Sequence, residues 1–218
     1  MRYMLGICLL AQGLIGCSAS QAQFGVPAGN NAAPLTIRPS ETYGLLYSFK
    51  GHRTRDGGHP ATGIVQDNGI FYGTTSGVRR PVTYGTIFAL TSSGIEKVLF
   101  TFKGQAKQGA TPTDLIDVGG TLYGSTEAGG SYRFGTLFSI TPSGKLTTLH
   151  NFAGGSGDGA HPQGLLNVNG TLYGTTSAGG THNHGTVFSI TPSGAETVLY
   201  SFAGGSSDGA LPVAPPSS

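Results

Sequence analysis

The sequence predicts an all-β fold of tandem four-stranded antiparallel sheets, arranged as a partial β-propeller of about three blades. The first observation behind this prediction is a period of about 50 residues. Residues 72–75 read Tyr-Gly-Thr-Thr and recur nearly unchanged at 123–126 and 173–176. The second is a series of tight-turn sequences at the same spacing. The third is that no segment shows the apolar periodicity of a helix.

Residues 1–16 have the pattern of a signal peptide, with Arg2 ahead of an apolar run too short to span a bilayer. Residues 14–17, Leu-Ile-Gly-Cys, resemble the lipobox of bacterial lipoproteins. That resemblance implies cleavage before Cys17 and lipidation of its thiol. The alternative is ordinary cleavage after Ala22 and free secretion. Both alternatives predict an extracytoplasmic protein, either membrane-anchored in the cell envelope or secreted.

Residues 17–41 are rich in Ala, Pro, Ser, Asn and Gln and almost free of charge, which predicts a flexible tether. The repeats then occupy a β-domain at residues 42–212, made of three modules of about 50 residues. The Pro-rich end, residues 213–218, is expected to be a disordered tail.

Each module is predicted to hold four antiparallel strands. Asn-Gly or Gly-Gly at residues 68–69, 119–120 and 169–170 supplies the positive φ angles that a two-residue hairpin turn needs. Thr-Pro-Ser-Gly at 141–144 and 191–194 predicts the turn before the fourth strand. One further strand is expected at residues 45–49, which brings the expected total to thirteen.

The strands carry apolar side chains on both faces, as Leu137 and Phe138 show in adjacent positions. Such a sheet has to be covered on both sides, as a propeller blade is by its neighbours. A closed propeller has about four blades or more, so three modules predict an open, partial arrangement. The alternative is a closed three-fold fold, a β-trefoil or β-prism, which also uses three four-stranded units.

Three longer motifs resemble the bacterial GloVer tandem repeat: residues 164–176, Gly-Thr-Val-Phe-Ser-Ile-Thr-Pro-Ser-Gly at 185–194, and Val-Leu-Tyr-Ser-Phe at 198–202. The resemblance covers roughly residues 43–212. It implies an extracytoplasmic, propeller-like protein. It implies no catalytic residue and no agreed ligand.

Composition excludes several functions. The net charge of +2 is too small for nucleic-acid binding. Both cysteines, Cys8 and Cys17, precede the repeats, so the repeats hold neither a disulfide nor a cysteine metal cluster. Contact with a membrane is expected through the lipid anchor only.

The loop between the second and third strands of each module differs most among the copies. Loops at one rim of a rigid β-scaffold are frequent binding sites, so we predict that this rim binds a glycan or protein ligand. The predicted ligand-binding residues are Arg79, Arg80, Tyr84, Tyr132, Arg133, Phe134, His182 and His184.

Two other patterns have simpler explanations. His182 and His184 lack an evident third ligand, so no metal site and no cofactor are predicted. Glycine-rich loops carry Asp56, Asp158 and Asp208 at one repeated position, where an Asp that bonds its own loop is more typical than calcium. No pair of acids and no nucleophile motif indicates catalysis.

The sequence therefore predicts a non-enzymatic binding or scaffold module. A propeller-type carbohydrate-active or other hydrolytic enzyme is one alternative. A structural surface protein that assembles by self-association is another, because open sheet edges recruit partners.

Overall fold

The structure, a computed structural model, describes residues 44–51, 56–77, 84–104 and 108–212. These residues form twelve β-strands and no α-helix. The first sheet contains β1 (Val65–Asp67), β2 (Ile70–Thr75), β3 (Thr86–Thr91) and β4 (Glu96–Thr101). The middle sheet contains β5 (Ala110–Val118), β6 (Thr121–Ala128), β7 (Thr136–Ile140) and β8 (Leu146–Asn151). The third sheet contains β9 (Gly159–Val168), β10 (Thr171–Gly179), β11 (Thr186–Ile190) and β12 (Glu196–Ser201).

Each sheet is an antiparallel meander in which strands pair in chain order. The predicted hairpin turns are confirmed, since Asn68, Asn169 and Gly119 all have positive φ angles of 47–61°. The Thr-Pro-Ser-Gly turn also forms, with the N–H of Gly144 donating to the carbonyl of Thr141 at 2.8 Å. The strand expected at residues 45–49 is wrong, because the structure has no strand in that described segment.

The three sheets belong to one compact unit that begins at Phe49. β5 packs against β1 and β2, and β9 packs against β5 and β6, so the sheets stack in chain order. We call the two contacts the first–middle joint and the middle–third joint. The described residues form three separate sheets and no closed barrel. This confirms an all-β, partial propeller-like arrangement over the closed three-fold alternative. None of the described residues forms a helix long and apolar enough to cross a membrane.

One pair of phenylalanines recurs at each joint. Phe102 meets Phe138 with ring centroids 5.5 Å apart, and Phe152 meets Phe188 at 5.3 Å. All four rings are almost fully buried. Edge-on and tilted pairs of this kind contribute about 0.5–1.5 kcal/mol beyond the area that they bury. The repeated aromatic positions of the sequence are therefore the contacts that hold adjacent sheets together.

Small residues make room for these rings. A Cβ on Gly124 would lie 2.4 Å from Cζ of Phe138, and one on Gly174 would lie 2.4 Å from Cζ of Phe188. The Tyr-Gly motif is thus explained, because the glycine lets the ring lie directly on the neighbouring strand.

A buried pair of threonines links the second and third strands of every sheet. In the middle sheet, the hydroxyls of Thr126 and Thr136 lie 2.9 Å apart. Thr126 donates its proton to the carbonyl of Ala128 and accepts from the N–H of Thr136. The hydroxyl of Thr136 must therefore donate to Thr126, and every donor of the pair is satisfied.

Each joint is closed by a residue that precedes a proline. Thr111 and His161 have positive φ angles of 56° and 57°, in which non-glycine residues are uncommon. Their N–H groups donate to the carbonyls of Tyr84 and Phe134, at 2.7 and 2.8 Å. These backbone bonds cross from one module to the next. The repeated Pro position is thus part of the connection between sheets.

Candidate functional site

Six of the eight predicted rim residues are described, and they lie in the loops between the second and third strands of the three sheets. Tyr84 lies two residues before β3. The loop between β6 and β7 contains Tyr132, Arg133 and Phe134, and the loop between β10 and β11 contains His182 and His184. Cys17, Arg79 and Arg80 lie outside the described residues. The three loops thus come from equivalent positions in consecutive sheets, as the sequence predicts.

The β6–β7 loop is held by its own backbone. The N–H of Gly135 donates to the carbonyl of Gly129 at 3.0 Å, and the N–H of Arg133 donates to that of Gly130 at 3.3 Å. Arg133 has a φ of 69°. The side-chain oxygen of Asn151 accepts the N–H of Ser131 at 2.9 Å. These bonds define one loop conformation.

The β10–β11 loop repeats that conformation with different residues at its tip. Gly185 donates to Gly179 and Asn183 donates to Gly180, both at 3.1 Å. Asn183 has a φ of 58°, and its side-chain oxygen accepts the N–H of Gly179 at 2.9 Å. Tyr132 is 57% exposed and His182 is also exposed, each at the second position of its tip. One backbone frame therefore presents two different sets of side chains.

Three rim residues share a packing role that the sequence did not indicate. Tyr84, Phe134 and His184 occupy equivalent positions, and each ring lies over a glycine of the following loop. A Cβ on Gly104 would come within 2.6 Å of the Tyr84 ring, and one on Gly204 within 2.8 Å of the His184 ring. These rings cover backbone yet stay partly exposed, Tyr84 at 40% and Phe134 at 39%, whereas Tyr132 at 57% is the most exposed of the three aromatic residues. Arg133 and His182 are also exposed at the tips.

The glycine-rich loops are held by their aspartates, as predicted. Asp158 accepts the N–H of Ala153 and its own neighbour Gly159, each at 2.7 Å. Asp208 accepts from Ala203 at 2.7 Å and from the hydroxyl of Tyr200 at 2.9 Å. These bonds, that from Ala203 above all, hold the pKa of Asp208 below its ordinary value.

A second polar site lies in the middle–third joint. His150 on β8, Asp158 before β9 and Glu196 at the start of β12 place one ligand atom each within 4.8 Å of one another. Within the part of the chain that the structure describes, no other group of His, Cys, Asp or Glu does so. We call these three residues the joint cluster. The sequence pattern around Asp158 predicts only a residue that stabilises its own loop, so this cluster was not predicted from the sequence.

The joint cluster combines a close His–Asp contact with a carboxyl group whose pKa is raised. Nε2 of His150 lies 3.2 Å from Oδ2 of Asp158. Burial raises the pKa of Glu196, the nearby charge of Asp158 raises it further, and His150 opposes the change. Oε1 of Glu196 is buried and accepts no hydrogen bond from any described residue.

A signal for this cluster does exist in the repeat. Counted from the Phe that ends each module, the position two residues earlier is Phe100, His150 or Tyr200. His150 is thus the exception at a repeat position that otherwise carries Phe or Tyr. This repeat position alone does not show that Glu196 of the next module lies close to His150.

Comparison with known proteins identifies the repeat and little else. The family described as the Gloeobacter/Verrucomicrobia repeat matches residues 20–216. No curated protein matches. Among solved structures, the AtxE2 isopeptidase with Astexin3-dC4 bound is similar at a TM-score of 0.44 and 12% identity, over 63% of this chain. This chain spans 20% of the length of that structure. A likeness of that extent carries no argument about function.

Proposed function

We propose a binding function for this chain, which belongs to the Gloeobacter/Verrucomicrobia repeat family. In this proposal it is a non-enzymatic module of the bacterial cell envelope that binds a glycan at the loop rim. Cys17 carries the lipid anchor, and residues 17–41 separate the repeats from the membrane.

The observation that carries this proposal is the shared frame of the β6–β7 and β10–β11 loops. Both loops have the same backbone hydrogen bonds, yet their tips carry Tyr132 and Arg133 in one case and His182 in the other. A rigid frame with different exposed tips is the arrangement that binding loops of β-scaffolds use. A loop backbone that is already held in one conformation loses little conformational entropy when a ligand binds.

The tip side chains favour a glycan that carries acidic groups. The exposed ring of Tyr132 offers an apolar face and a hydroxyl, the combination that recurs in recognition surfaces. The guanidinium of Arg133 can bind a carboxylate through two parallel hydrogen bonds. A peptide with acidic side chains is the second ligand class that this chemistry would accept.

The test is binding of the chain to an array of neutral and acidic polysaccharides and peptidoglycan fragments. The triple variant Tyr132→Ala, Arg133→Ala and His182→Ala should lose retention on every ligand that the parent retains. Lys145→Ala is the matched control, because this exposed residue follows a turn at the opposite edge of the middle sheet.

Unchanged retention by the triple variant would contradict the rim proposal. Turnover of a polysaccharide, abolished when one acidic residue is changed, would instead favour the hydrolytic alternative.

The lipid anchor has a test of its own. Secretion of the protein unlipidated and starting after Ala22 would contradict the anchor at Cys17. Cys17→Ser should otherwise release the protein from the membrane fraction and abolish incorporation of a labelled fatty acid.

A second candidate function, self-association, is favoured by the uncovered face of the third sheet. Leu199 is 52% exposed and Tyr200 is 49% exposed, whereas the equivalent Leu149 packs into the core of the middle–third joint. The third sheet therefore offers the same kind of face that the middle sheet buries. Sedimentation of the chain should show a concentration-dependent mass that Leu199→Glu abolishes, and a constant monomer mass would exclude this candidate.

A further inference from the structure

The geometry of the joint cluster points to a metal site: we propose that His150, Asp158 and Glu196 bind one divalent first-row transition-metal ion, with Zn²⁺ as the reference ion. The ligand atoms are Nε2 of His150 and one carboxylate oxygen from each acid. This assignment goes beyond the rim function, since it concerns the joint between two sheets.

The separations of the ligand atoms fit such an ion. Zn²⁺ binds imidazole nitrogen and carboxylate oxygen at about 2.0–2.2 Å, which places its ligands about 3.0–3.6 Å from one another. Nε2 of His150 lies 3.2 Å from Oδ2 and 3.4 Å from Oδ1 of Asp158. The carboxylate of Glu196 completes a set that lies within 4.8 Å. A small side-chain rotation of Glu196 is therefore enough to bring its carboxylate oxygen to the same ion.

Charge supplies the second argument. Two carboxylates face one imidazole, and Oε1 of Glu196 is buried with no hydrogen-bond donor among the described residues. A buried acceptor of this kind calls for a partner. Even a protonated His150 balances only one of the two negative charges, whereas a divalent cation with a neutral imidazole balances both. A metal ion therefore satisfies the oxygen that the protein leaves open.

Two of the three ligands are already held in place. The N–H groups of Ala153 and Gly159 bind the carboxylate of Asp158 at 2.7 Å. The ring of His150 stands edge-on to Phe152, with centroids 4.8 Å apart. Supporting contacts of this kind orient metal ligands and strengthen binding. Because β8 and β12 belong to different sheets, the ion would join the middle sheet to the third.

The equivalent positions of the first–middle joint provide an internal comparison. There the three residues are Phe100, Gln108 and Leu146. Phe100 and Leu146 pack against the apolar core of that joint. Stacking of the sheets thus does not need a His and two acids at these positions. The substitution of all three by metal-ligand types in one joint only is what a specific site would require.

The ligand types favour a transition metal over calcium or magnesium. Imidazole nitrogen suits Zn²⁺ and its neighbours, while Ca²⁺ and Mg²⁺ prefer sets of oxygen alone. Three protein ligands leave a fourth position for water in tetrahedral geometry. We assign the ion a stabilising role, as a clamp across the joint.

The test is titration of the untagged chain with Zn²⁺ in competition with a chromophoric chelator. We expect one ion per chain and a higher melting temperature in its presence. His150→Phe, which installs the residue of the preceding module, and Glu196→Gln should each weaken Zn²⁺ binding by at least about 10-fold. In the parent chain, the ring NMR signals of His150 should shift on addition of the ion, which tests the site without any variant.

Two control variants test whether other residues of the chain bind the Zn²⁺ ion instead of the joint cluster. Asp208→Asn changes the equivalent loop carboxylate, which has Tyr200 beside it in place of a His, and should leave affinity unchanged. The double variant His182→Ala and His184→Ala removes the exposed His pair of the rim and should also leave it unchanged. Three outcomes would overturn the proposal: no stoichiometric binding, parental affinity in Glu196→Gln, or loss of binding in the rim variant alone.

Discussion

The first–middle and middle–third joints share one apolar frame but differ in polarity. Both have a buried Phe pair, at 5.5 and 5.3 Å, and both have an N–H bond from the residue that precedes the repeated proline. At the outer strands, Phe100 and Leu146 pack on the first joint, whereas His150 and Glu196 occupy the same positions in the second. The frame is therefore sufficient for stacking, and the polar residues are additions to it.

Asp114 adds a second difference. Five residues before the hairpin turn, the first and third modules carry Gly63 and Gly164, but the middle module carries Asp114. Its carboxylate accepts the N–H of Leu165 on β9, across the middle–third joint, and that of Leu115. Thr113 also donates across this joint to the carbonyl of Pro162, at 3.1 Å. Repeat symmetry thus preserves the packing while it leaves polar contacts free to differ.

The largest expected effect tests the part that the joints share. Phe102→Ala and Phe152→Ala should each lower the free energy of unfolding by about 3–5 kcal/mol, because both rings are fully buried. Phe202→Ala, at the equivalent half-buried position of the third sheet, should cost less. Urea denaturation of the three variants checks this order. Equal costs for Phe152 and Phe202 would show that the third sheet is covered in solution.

The next effect tests whether both Phe pairs need the glycine beneath them. Gly124→Ala and Gly174→Ala should each cost about 1–3 kcal/mol by overpacking. The added methyl group would meet the Phe ring at 2.4 Å in both sheets. Gly157→Ala is the control, since nothing lies within 4 Å of its Cβ position. A clear difference between the two buried variants, again measured in urea, would mean that the joints are not equally tight.

A smaller effect isolates one polar contact of the middle–third joint. Thr113→Val removes the bond to Pro162 and the 2.8 Å contact with Ser125, so a loss of about 1 kcal/mol is expected. Thr62→Val is the counterpart in the first module, where the hydroxyl donates to the carbonyl of Gly63 and accepts from the hydroxyl of Thr74 without crossing to another sheet. Chemical denaturation of both variants should show the larger loss for Thr113.

The smallest change concerns pH. Burial raises the pKa of Asp114 above its ordinary value of 3.8, against the N–H bonds from Leu115 and Leu165. Between the ordinary pKa of the unfolded state and the raised pKa of the folded state, the folded protein therefore binds more protons than the unfolded one. The free energy of unfolding falls as pH rises through that window. Asp114→Asn should remove this part of the pH dependence, so its stability relative to the parent should increase from acid toward neutral pH. If the free energy of unfolding, measured by urea denaturation, has the same pH dependence in both proteins, the raised pKa of Asp114 is contradicted.

The turns and the repeat were predictable because their causes are local. Asn-Gly pairs favour the positive φ angles of a two-residue hairpin turn whatever lies around them, and Asn169 and Gly170 have such angles. The segment at residues 45–49 was predicted wrongly as a strand because its sequence resembles the fourth strand of a module. Strand formation also needs a partner ladder, which a local pattern does not report.

The candidate sites were predictable only in part. The rim followed from sequence differences among the loops, but the packing of Tyr84 and His184 on glycines did not, since it depends on the path of the following loop. The joint cluster was missed because His150 and Glu196 are far apart in the chain and meet only when two sheets stack.

The amino-acid sequence by itself determined the period, the turns, the antiparallel strands and the need for each sheet to be covered, because these depend on residues near one another and on side-chain alternation. Only the tertiary structure decided which faces meet, which rim rings are used for packing, and that a His and two acids share one joint. The physical reason is that contacts between sheets depend on register and stacking, which bring together residues that no local pattern connects.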